Sequence, residues 1–173
     1  MNATILQLLT AAANEFGIDP NLLIAQAEQE SGGNQYDKNG NVLTSPAGAM
    51  GVMQLEPGTA AGLGVDPTDA SDNITGGAQY MSQLLNEFCG NTALALAAYN
   101  WGPGNVSKNG FNNWPTETQN YVSSILGKVG CAIDPTSPTG VCAATSCAGS
   151  CNLGMAVALV LVVGLVLFGA RIL

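Results

Sequence analysis

The acid and base chemistry open to this chain falls to its carboxylates, because none of its 173 residues is histidine. A Ser-His-Asp triad, a Cys-His pair and an imidazole metal site are excluded for the same reason. Twelve acidic residues against four basic ones give a net charge of −8, which argues against nucleic acid as a partner. A carboxylate placed where its charge is disfavoured is therefore the first candidate for a catalytic group.

Glu30 is such a carboxylate. Glu28 and Glu30 lie near the end of one predicted helix, and two residues turn the direction by about 200°, so at most one faces the interior. Glu30 shares its azimuth with Leu23, whereas Glu28 points away. The negative pole of the helix end and an apolar cleft would both raise the pKa of Glu30, so that it holds a proton near neutral pH. Taken alone, a glutamate in this position is more often a solvated helix end.

Hydrophobic periodicity predicts one mostly helical domain over residues 1–130. The first 16 residues carry no Lys or Arg and predict an amphipathic helix ended by Gly17, so we do not interpret them as a signal peptide. A polar loop is expected after the Gly-Pro-Gly turn at 102–104. Further helices are predicted from Asp19 to about Glu30, from Pro57 to Leu63, from a Ser71 cap to Phe88, from a Thr92 cap to about Tyr99, and from Thr116 to about Val129.

The one extended element we expect is a small β-hairpin flap over residues 35–43. Asn39-Gly40 is typical of a tight turn between two short strands. Asp37, Asn39 and Asn41 also resemble the start of a calcium-binding loop, but the later glycine and glutamate that such a loop requires are missing. We therefore predict no metal site and no cofactor.

The C-terminal part of the chain differs in composition. Residues 131–152 are rich in Pro, Ser, Thr and Gly and predict a linker. Disulfides in an oxidising compartment are favoured over free thiols, and a zinc site is disfavoured because the spacing matches no standard finger. The chain has five cysteines, so one of them is free or pairs between chains, and the connectivity stays open. The five cysteines are Cys89, Cys131, Cys142, Cys147 and Cys151.

Residues 153–173 predict a transmembrane helix. Residues 153–170 contain no charged side chain and would form a helix about 27 Å long, close to the ~30 Å of a bilayer core. Arg171 would lie among the headgroups. A buried core helix is the weaker alternative, because a core helix of this length normally keeps a polar stripe.

Three motifs connect Glu30 to a known family. They are ESGG at 30–33, SPAGAMGVMQLEPGTA at 45–60 and AAYNWGPG at 97–104, followed by ETQNY at 117–121. Together they strongly resemble the lytic transglycosylases of the soluble-Slt type, which share a goose-lysozyme-like fold. The resemblance extends from about Ile5 to Tyr121, and covers neither the linker nor the predicted span.

The resemblance implies cleavage of the β-1,4 bond between N-acetylmuramic acid and N-acetylglucosamine in peptidoglycan, with a 1,6-anhydro product. Glu30 matches the family's single catalytic acid and base. Gln54 matches a position that orients the acetamido group, and the Tyr99 hydroxyl is expected to bond Glu30 or the sugar. Residues expected to bind substrate, by contact or by closing the cleft, are Ser45, Met53, Gln54, Tyr99, Asn100, Glu117 and Tyr121.

Glu56 departs from the family pattern, which usually has an uncharged residue there. A second carboxylate near the cleft would position water and favour a hydrolytic, muramidase reaction. We expect Glu56 to point into solvent instead. The other alternative is a non-catalytic, membrane-anchored structural component of a virion or secretion apparatus.

The expected partners are peptidoglycan glycan strands, a lipid bilayer contacted through residues 153–173, and other virion or envelope proteins, with no nucleic acid. A wall-degrading domain tethered at its tail fits a phage that carries a membrane in its particle and uses the enzyme during entry. Anchoring in the bacterial inner membrane, with the domain facing the periplasm, is the other arrangement considered.

Overall fold

The structure is a computed structural model that describes residues 1–130. The predicted linker at 131–152, the predicted span at 153–173 and four of the five cysteines lie outside the described residues, so the disulfide and membrane interpretations stay predictions. Within residues 1–130, no helix is both long enough and apolar enough to cross a bilayer.

The described part of the chain is helical, as predicted. Its seven α-helices are α1 (Ala3–Glu15), α2 (Pro20–Ser31), α3 (Pro57–Leu63), α4 (Ala70–Glu87), α5 (Thr92–Trp101), α6 (Pro103–Asn109) and α7 (Thr116–Lys128). Asp19 caps α2 by accepting from the Asn21 backbone N–H at 2.9 Å, and Gly32 ends it in the left-handed conformation at φ 65°. The predicted bounds of this helix are confirmed.

Two helices begin with a different cap from the one predicted. The cap of α4 is Asp69, not Ser71, because one carboxylate oxygen accepts from both the Ser71 and the Asp72 backbone N–H groups, at 2.9 and 3.0 Å. The cap of α5 is Asn91, not Thr92, since its side chain accepts from the Leu94 N–H at 3.0 Å. In each case an Asp or Asn one or two residues earlier provides the acceptor.

Helix α6 occupies part of the segment predicted to be a polar loop. Only Val106 is buried in it, so no apolar periodicity signals the helix. Pro103 stands in its first turn, where a proline costs no intrahelical hydrogen bond. Of the two glycines in the predicted turn, Gly102 precedes this short helix and Gly104 lies in its first turn.

The predicted β-hairpin flap is wrong as a pair of strands. Residues 1–130 contain isolated antiparallel bridges only, among them Tyr36 with Val42. The Asp37 carboxylate accepts from the backbone N–H groups of Asn39 and Asn41 at 2.8 and 2.9 Å. The chain thus wraps around this carboxylate directly after the bridge, so the ladder does not continue.

The core is centred on α5, in which every residue from 92 to 98 is buried. This helix packs against α4, α6 and α7, while α2 packs against α1 and α7. The alanine-rich sequence of α5 allows close approach of these neighbours. The packing places the C-terminal end of α2 beside α7 at the edge of a cleft.

Candidate active site

The cleft holds a cavity of about 570 Å³ that contains most of the residues predicted from the motifs. All but two of them line it, with Met53 and Tyr121 the exceptions. Trp101 and Tyr80 contribute aromatic surface to the same cavity. Its predicted lining residues are Glu30, Ser45, Gln54, Glu56, Tyr99, Asn100 and Glu117.

Glu30 lies in the last turn of α2, half-buried at the wall of this cavity. The Tyr121 hydroxyl of α7 donates to Glu30 Oε1 at 2.5 Å. Burial raises the pKa of Glu30 to about 7, and the hydrogen bond from Tyr121 acts in the opposite direction. The predicted rise in this pKa is confirmed, with burial as the physical cause.

Glu28 shows the contrast expected along the same helix. It is exposed and pairs with Lys128 of α7 at 3.2 Å, with 46% of the Glu28 side chain accessible. A pair of this kind contributes little to stability. The two glutamates therefore point in different directions, as the helical period requires.

Two tyrosines, the buried Tyr121 and the half-buried Tyr99, adjoin Glu30, with roles different from those expected. Tyr99 donates its hydroxyl to the Met53 carbonyl at 2.9 Å, so it is Tyr121 that contacts Glu30. Burial, followed by the charge of Glu30, raises the pKa of both phenols well above their ordinary value. Both hydroxyls therefore stay protonated and act as donors. The Tyr99 ring also contacts that of Tyr80, with centroids 5.2 Å apart.

Ser45 and Gln54 lie on an irregular segment, residues 45–55, that forms the wall opposite the helices. The Ser45 hydroxyl accepts from the Ala49 N–H at 3.0 Å and closes a tight turn. Gln54 adopts φ 46°, a left-handed conformation that is uncommon outside glycine. Its amide nitrogen donates to the Gly51 carbonyl at 2.8 Å, which fixes the side chain.

Two buried amides that the sequence analysis missed hold this segment in place. Asn73 Oδ1 accepts from the Met53 N–H at 2.8 Å while its Nδ2 donates to the Met50 carbonyl at 2.7 Å. Gln35 Oε1 accepts from the Val52 N–H at 3.0 Å. Both residues are buried, since 0% of Asn73 and 4% of Gln35 is exposed. A polar residue on the apolar face of α4, beside Ile74, was the available signal for Asn73.

Glycines allow this close approach. At Gly51, with φ 73°, a Cβ would lie 2.4 Å from Gln35 Oε1 and 2.6 Å from Asn73 Nδ2. At Gly77 of α4, a Cβ would lie 2.5 Å from Met53 Cγ. None of these three distances is possible without rearrangement, so both positions require glycine for packing.

Met53 takes a different place from the one predicted. Its side chain is fully buried against Gly77 and lies outside the cavity lining, so it contacts the core instead of a substrate. Its backbone carbonyl accepts from the Tyr99 hydroxyl beside the cavity. The predicted substrate contact is thus corrected to a supporting role.

Gln26 is a third buried amide that the sequence analysis missed. Its Nε2 donates to the Tyr121 hydroxyl oxygen at 3.3 Å, and the residue is 0% exposed. Gln26 precedes Glu30 by four residues, so both lie on the same face of α2. The four-residue spacing from Glu30 was the signal that could have identified Gln26 in the sequence.

Asn100, Glu117 and Glu56 complete the polar lining. Asn100 Oδ1 accepts from the Thr118 hydroxyl at 2.8 Å. Glu117 and Glu56 are both exposed, and Glu56 stands before α3 without capping it. No lysine or arginine of the described residues lines the cavity. The cleft therefore presents hydrogen-bonding groups and aromatic surface to its contents.

Comparisons with known proteins agree with this geometry. The family profile described as the transglycosylase SLT domain matches residues 7–122. The transglycosylase of Enterobacteria phage PRD1 is 33% identical over 124 residues, which cover 71% of this chain and 42% of that protein. Membrane-bound lytic murein transglycosylase F 1 of Alkalilimnicola ehrlichii is 40% identical over 102 residues, or 55% of this chain and 19% of that one.

Among solved structures, the lytic transglycosylase Slt of Pseudomonas aeruginosa, determined as an inactive mutant, matches with a TM-score of 0.60 and 30% identity. The match covers 70% of this chain and 22% of that one. The present chain therefore spans less than half the length of these relatives.

Proposed function

Because the chain belongs to the transglycosylase SLT domain family, we propose that it is a peptidoglycan lytic transglycosylase. Its substrate on this proposal is the β-1,4 bond between N-acetylmuramic acid and N-acetylglucosamine. The observation that carries the proposal is the Glu30 carboxyl, half-buried on the cleft with a pKa of about 7. A group with that pKa exchanges its proton readily near neutral pH.

In the first step, Glu30 donates its proton to the glycosidic oxygen as the bond from that oxygen to the muramic C1 breaks. The carboxylate left behind accepts the hydrogen bond from Tyr121, which stabilises its charge. In the second step, the C6 hydroxyl of the same muramic residue attacks C1 and returns its proton to Glu30. One carboxylate serves both steps because the nucleophile belongs to the substrate, whereas other glycosidases need a carboxylate pair.

Residues on both walls would orient the sugars. The amide nitrogen of Gln54 is engaged by a backbone carbonyl, which leaves Oε1 to accept from the N–H of an acetamido group. At Asn100, Oδ1 is engaged by Thr118, which leaves Nδ2 to donate to a sugar oxygen. Ser45 and Glu117 line the same cavity and would contact neighbouring hydroxyls.

Hydrolysis assisted by Glu56 is the competing reaction, because Glu56 is exposed and lines the same cavity as Glu30. Mass spectrometry of digested peptidoglycan separates the two. We expect 1,6-anhydro muropeptides from the purified protein, with the same products from Glu56→Gln. If the products are muropeptides with reducing ends only, and if Glu56→Gln abolishes them, the protein is a hydrolase instead.

For location we propose a domain at 1–130, a linker at 131–152 stabilised by disulfides, and a membrane anchor at 153–173. The apolar run at 153–170 supports the anchor, and the phage and membrane-bound relatives support a role at a membrane, in a virion or at the inner membrane during entry. Fractionation of purified virions tests this. Intact protein in the particle membrane is the expected result; its absence from particles, with presence in uninfected envelopes, would contradict the virion assignment.

A further inference from the structure

Gln26, Tyr121 and Glu30 form a chain of hydrogen bonds that connects the interior of the domain to the cleft. The Gln26 amide nitrogen donates to the Tyr121 oxygen at 3.3 Å, and the Tyr121 hydroxyl donates to Glu30 Oε1 at 2.5 Å. Tyr121 is 6% exposed and Gln26 is 0% exposed, so the bond between them is shielded from bulk water.

The direction of these hydrogen bonds matters because the Tyr121 phenol has only one hydrogen to donate. If an acceptor stood behind Tyr121, its hydroxyl would turn inward, and Glu30 would have to donate to the phenol oxygen. An amide N–H in that place can only donate. The phenol hydrogen is then directed at Glu30.

Resting on the proposed function, we propose that Gln26 is a positioning residue: by donating to the Tyr121 oxygen it keeps the phenol hydrogen on Glu30 Oε1, so that Oε2 carries the proton delivered to the sugar. Gln26 thereby selects which carboxyl oxygen acts as the acid, without touching the substrate. The same bond strengthens Tyr121 as a donor when Glu30 is ionised.

The cost of burying Gln26 supports a role beyond packing. Its Oε1 is buried and finds no hydrogen-bond partner among residues 1–130. An unsatisfied buried acceptor destabilises a protein, and an apolar side chain of similar length would avoid that penalty. The bond to Tyr121 is the compensating contribution of this amide.

Other titratable groups face Glu30 but do not replace this contact. They are Tyr99 of α5, Tyr80 of α4, Glu117 of α7 and Glu56 before α3. Tyr99 is engaged by the Met53 carbonyl, and both glutamates are exposed. Tyr121 is thus the hydrogen-bond donor whose direction Gln26 controls.

The test replaces Gln26 by methionine, which keeps the length of the side chain and removes the amide. We expect the Glu30 carboxyl, followed by NMR titration of the full chain, to titrate about 0.5 to 1 pH unit higher, because the carboxylate loses an oriented donor. We also expect kcat to fall about tenfold and the alkaline limb of the pH profile to move upward by the same interval. The melting temperature should not fall.

Two comparisons separate positioning from packing. In a Tyr121→Phe background, Gln26→Met should leave the Glu30 titration unchanged, because Gln26 acts through the phenol. Ser82→Ala is the matched control, since it removes one side-chain hydrogen bond, to the Phe16 carbonyl at 3.0 Å, away from the cleft. It should leave the pH profile unchanged.

No shift, or a downward shift, in Gln26→Met would overturn the proposal, since a downward shift means that the amide oxygen faces Tyr121. Gln26→Leu provides the same readout if Gln26→Met does not fold. The NMR titration needs no substrate, so an upward shift in a protein that makes no anhydro product would refute the proposed function and leave the hydrogen-bond direction established.

Discussion

The two walls of the cleft are built by different means. On the helical wall, α2 and α7 are joined by bonds between side chains, among them Tyr121 to Glu30 and Ser124 to Gln29, the latter at 2.6 Å. On the opposite wall, residues 45–55 form no helix and only isolated backbone bridges, so the buried amides of Gln35 and Asn73 bind the remaining backbone groups. Helices provide their own backbone hydrogen bonds, whereas an irregular buried segment needs side chains to satisfy its backbone.

Because of this difference, side chains have different tasks on the two walls. On the helical wall the side chains are free to set the charge and proton affinity of one carboxyl group. On the opposite wall the polar side chains of Gln35 and Asn73 are used to hold the backbone beside the cavity. Changes in the first wall should therefore alter activity more than stability, and changes in the second should alter stability first.

The largest effect is expected for Glu30→Gln on the helical wall. Loss of the proton donor should lower kcat by about a thousandfold while the circular dichroism spectrum stays unchanged. Glu28→Gln is the matched control on the same helix, because Glu28 is exposed and makes only a surface ion pair. Turbidity clearing of sacculi measures both, and retained clearing by Glu30→Gln would break the comparison.

Next comes Asn73→Ala on the opposite wall. It leaves the Met53 N–H without its partner and removes a donor from the Met50 carbonyl, which keeps its bond from the Leu55 N–H, so the free energy of unfolding should fall by about 3 kcal/mol. Urea denaturation measures this, with Asn86→Ala on the exposed face of α4 expected to change it by less than about 0.5 kcal/mol. Equal values for the two variants would show that the amide does not hold the segment.

The pH dependence of stability sharpens the same comparison. The folded-state pKa of Glu30 is raised from 4.5 to about 7, so the folded protein holds this proton more tightly than the unfolded chain. Its stabilising contribution is complete below pH 4.5 and is lost as the pH rises to about 7, a change of about 3 kcal/mol. The Glu30→Gln variant should lack this loss and be relatively more stable at pH 8. If the free energy of unfolding depends on pH in the same way for both proteins, this prediction is refuted.

A smaller effect is expected for Gly77→Ala, where the added Cβ would lie 2.5 Å from Met53 Cγ. Overpacking should reduce the free energy of unfolding by about 2 kcal/mol, as measured by urea denaturation. Gly127→Ala is the control in α7, because a Cβ there meets nothing within 4 Å. It should stabilise by about 0.5 to 1 kcal/mol, as a helical alanine does.

The sequence by itself determined the helices that carry an apolar stripe or a clear cap, such as α2, and the position of Glu30 at the end of one of them. These follow from local spacing, because a helix repeats its environment every three to four residues. The motifs indicated most of the cleft lining for the same reason, since each is a short contiguous run. Helix α6 was not predicted, because its single buried residue gives no apolar periodicity.

Only the tertiary structure decided which tyrosine contacts Glu30, since Tyr121 lies 91 residues away and Tyr99 is nearer in sequence but engaged elsewhere. It also decided that Met53 is buried and that Gln26, Gln35 and Asn73 turn inward. A buried polar group is defined by partners from distant parts of the chain, and neither periodicity nor composition encodes those partners. The fold brings them together, and with them the proton affinity of Glu30.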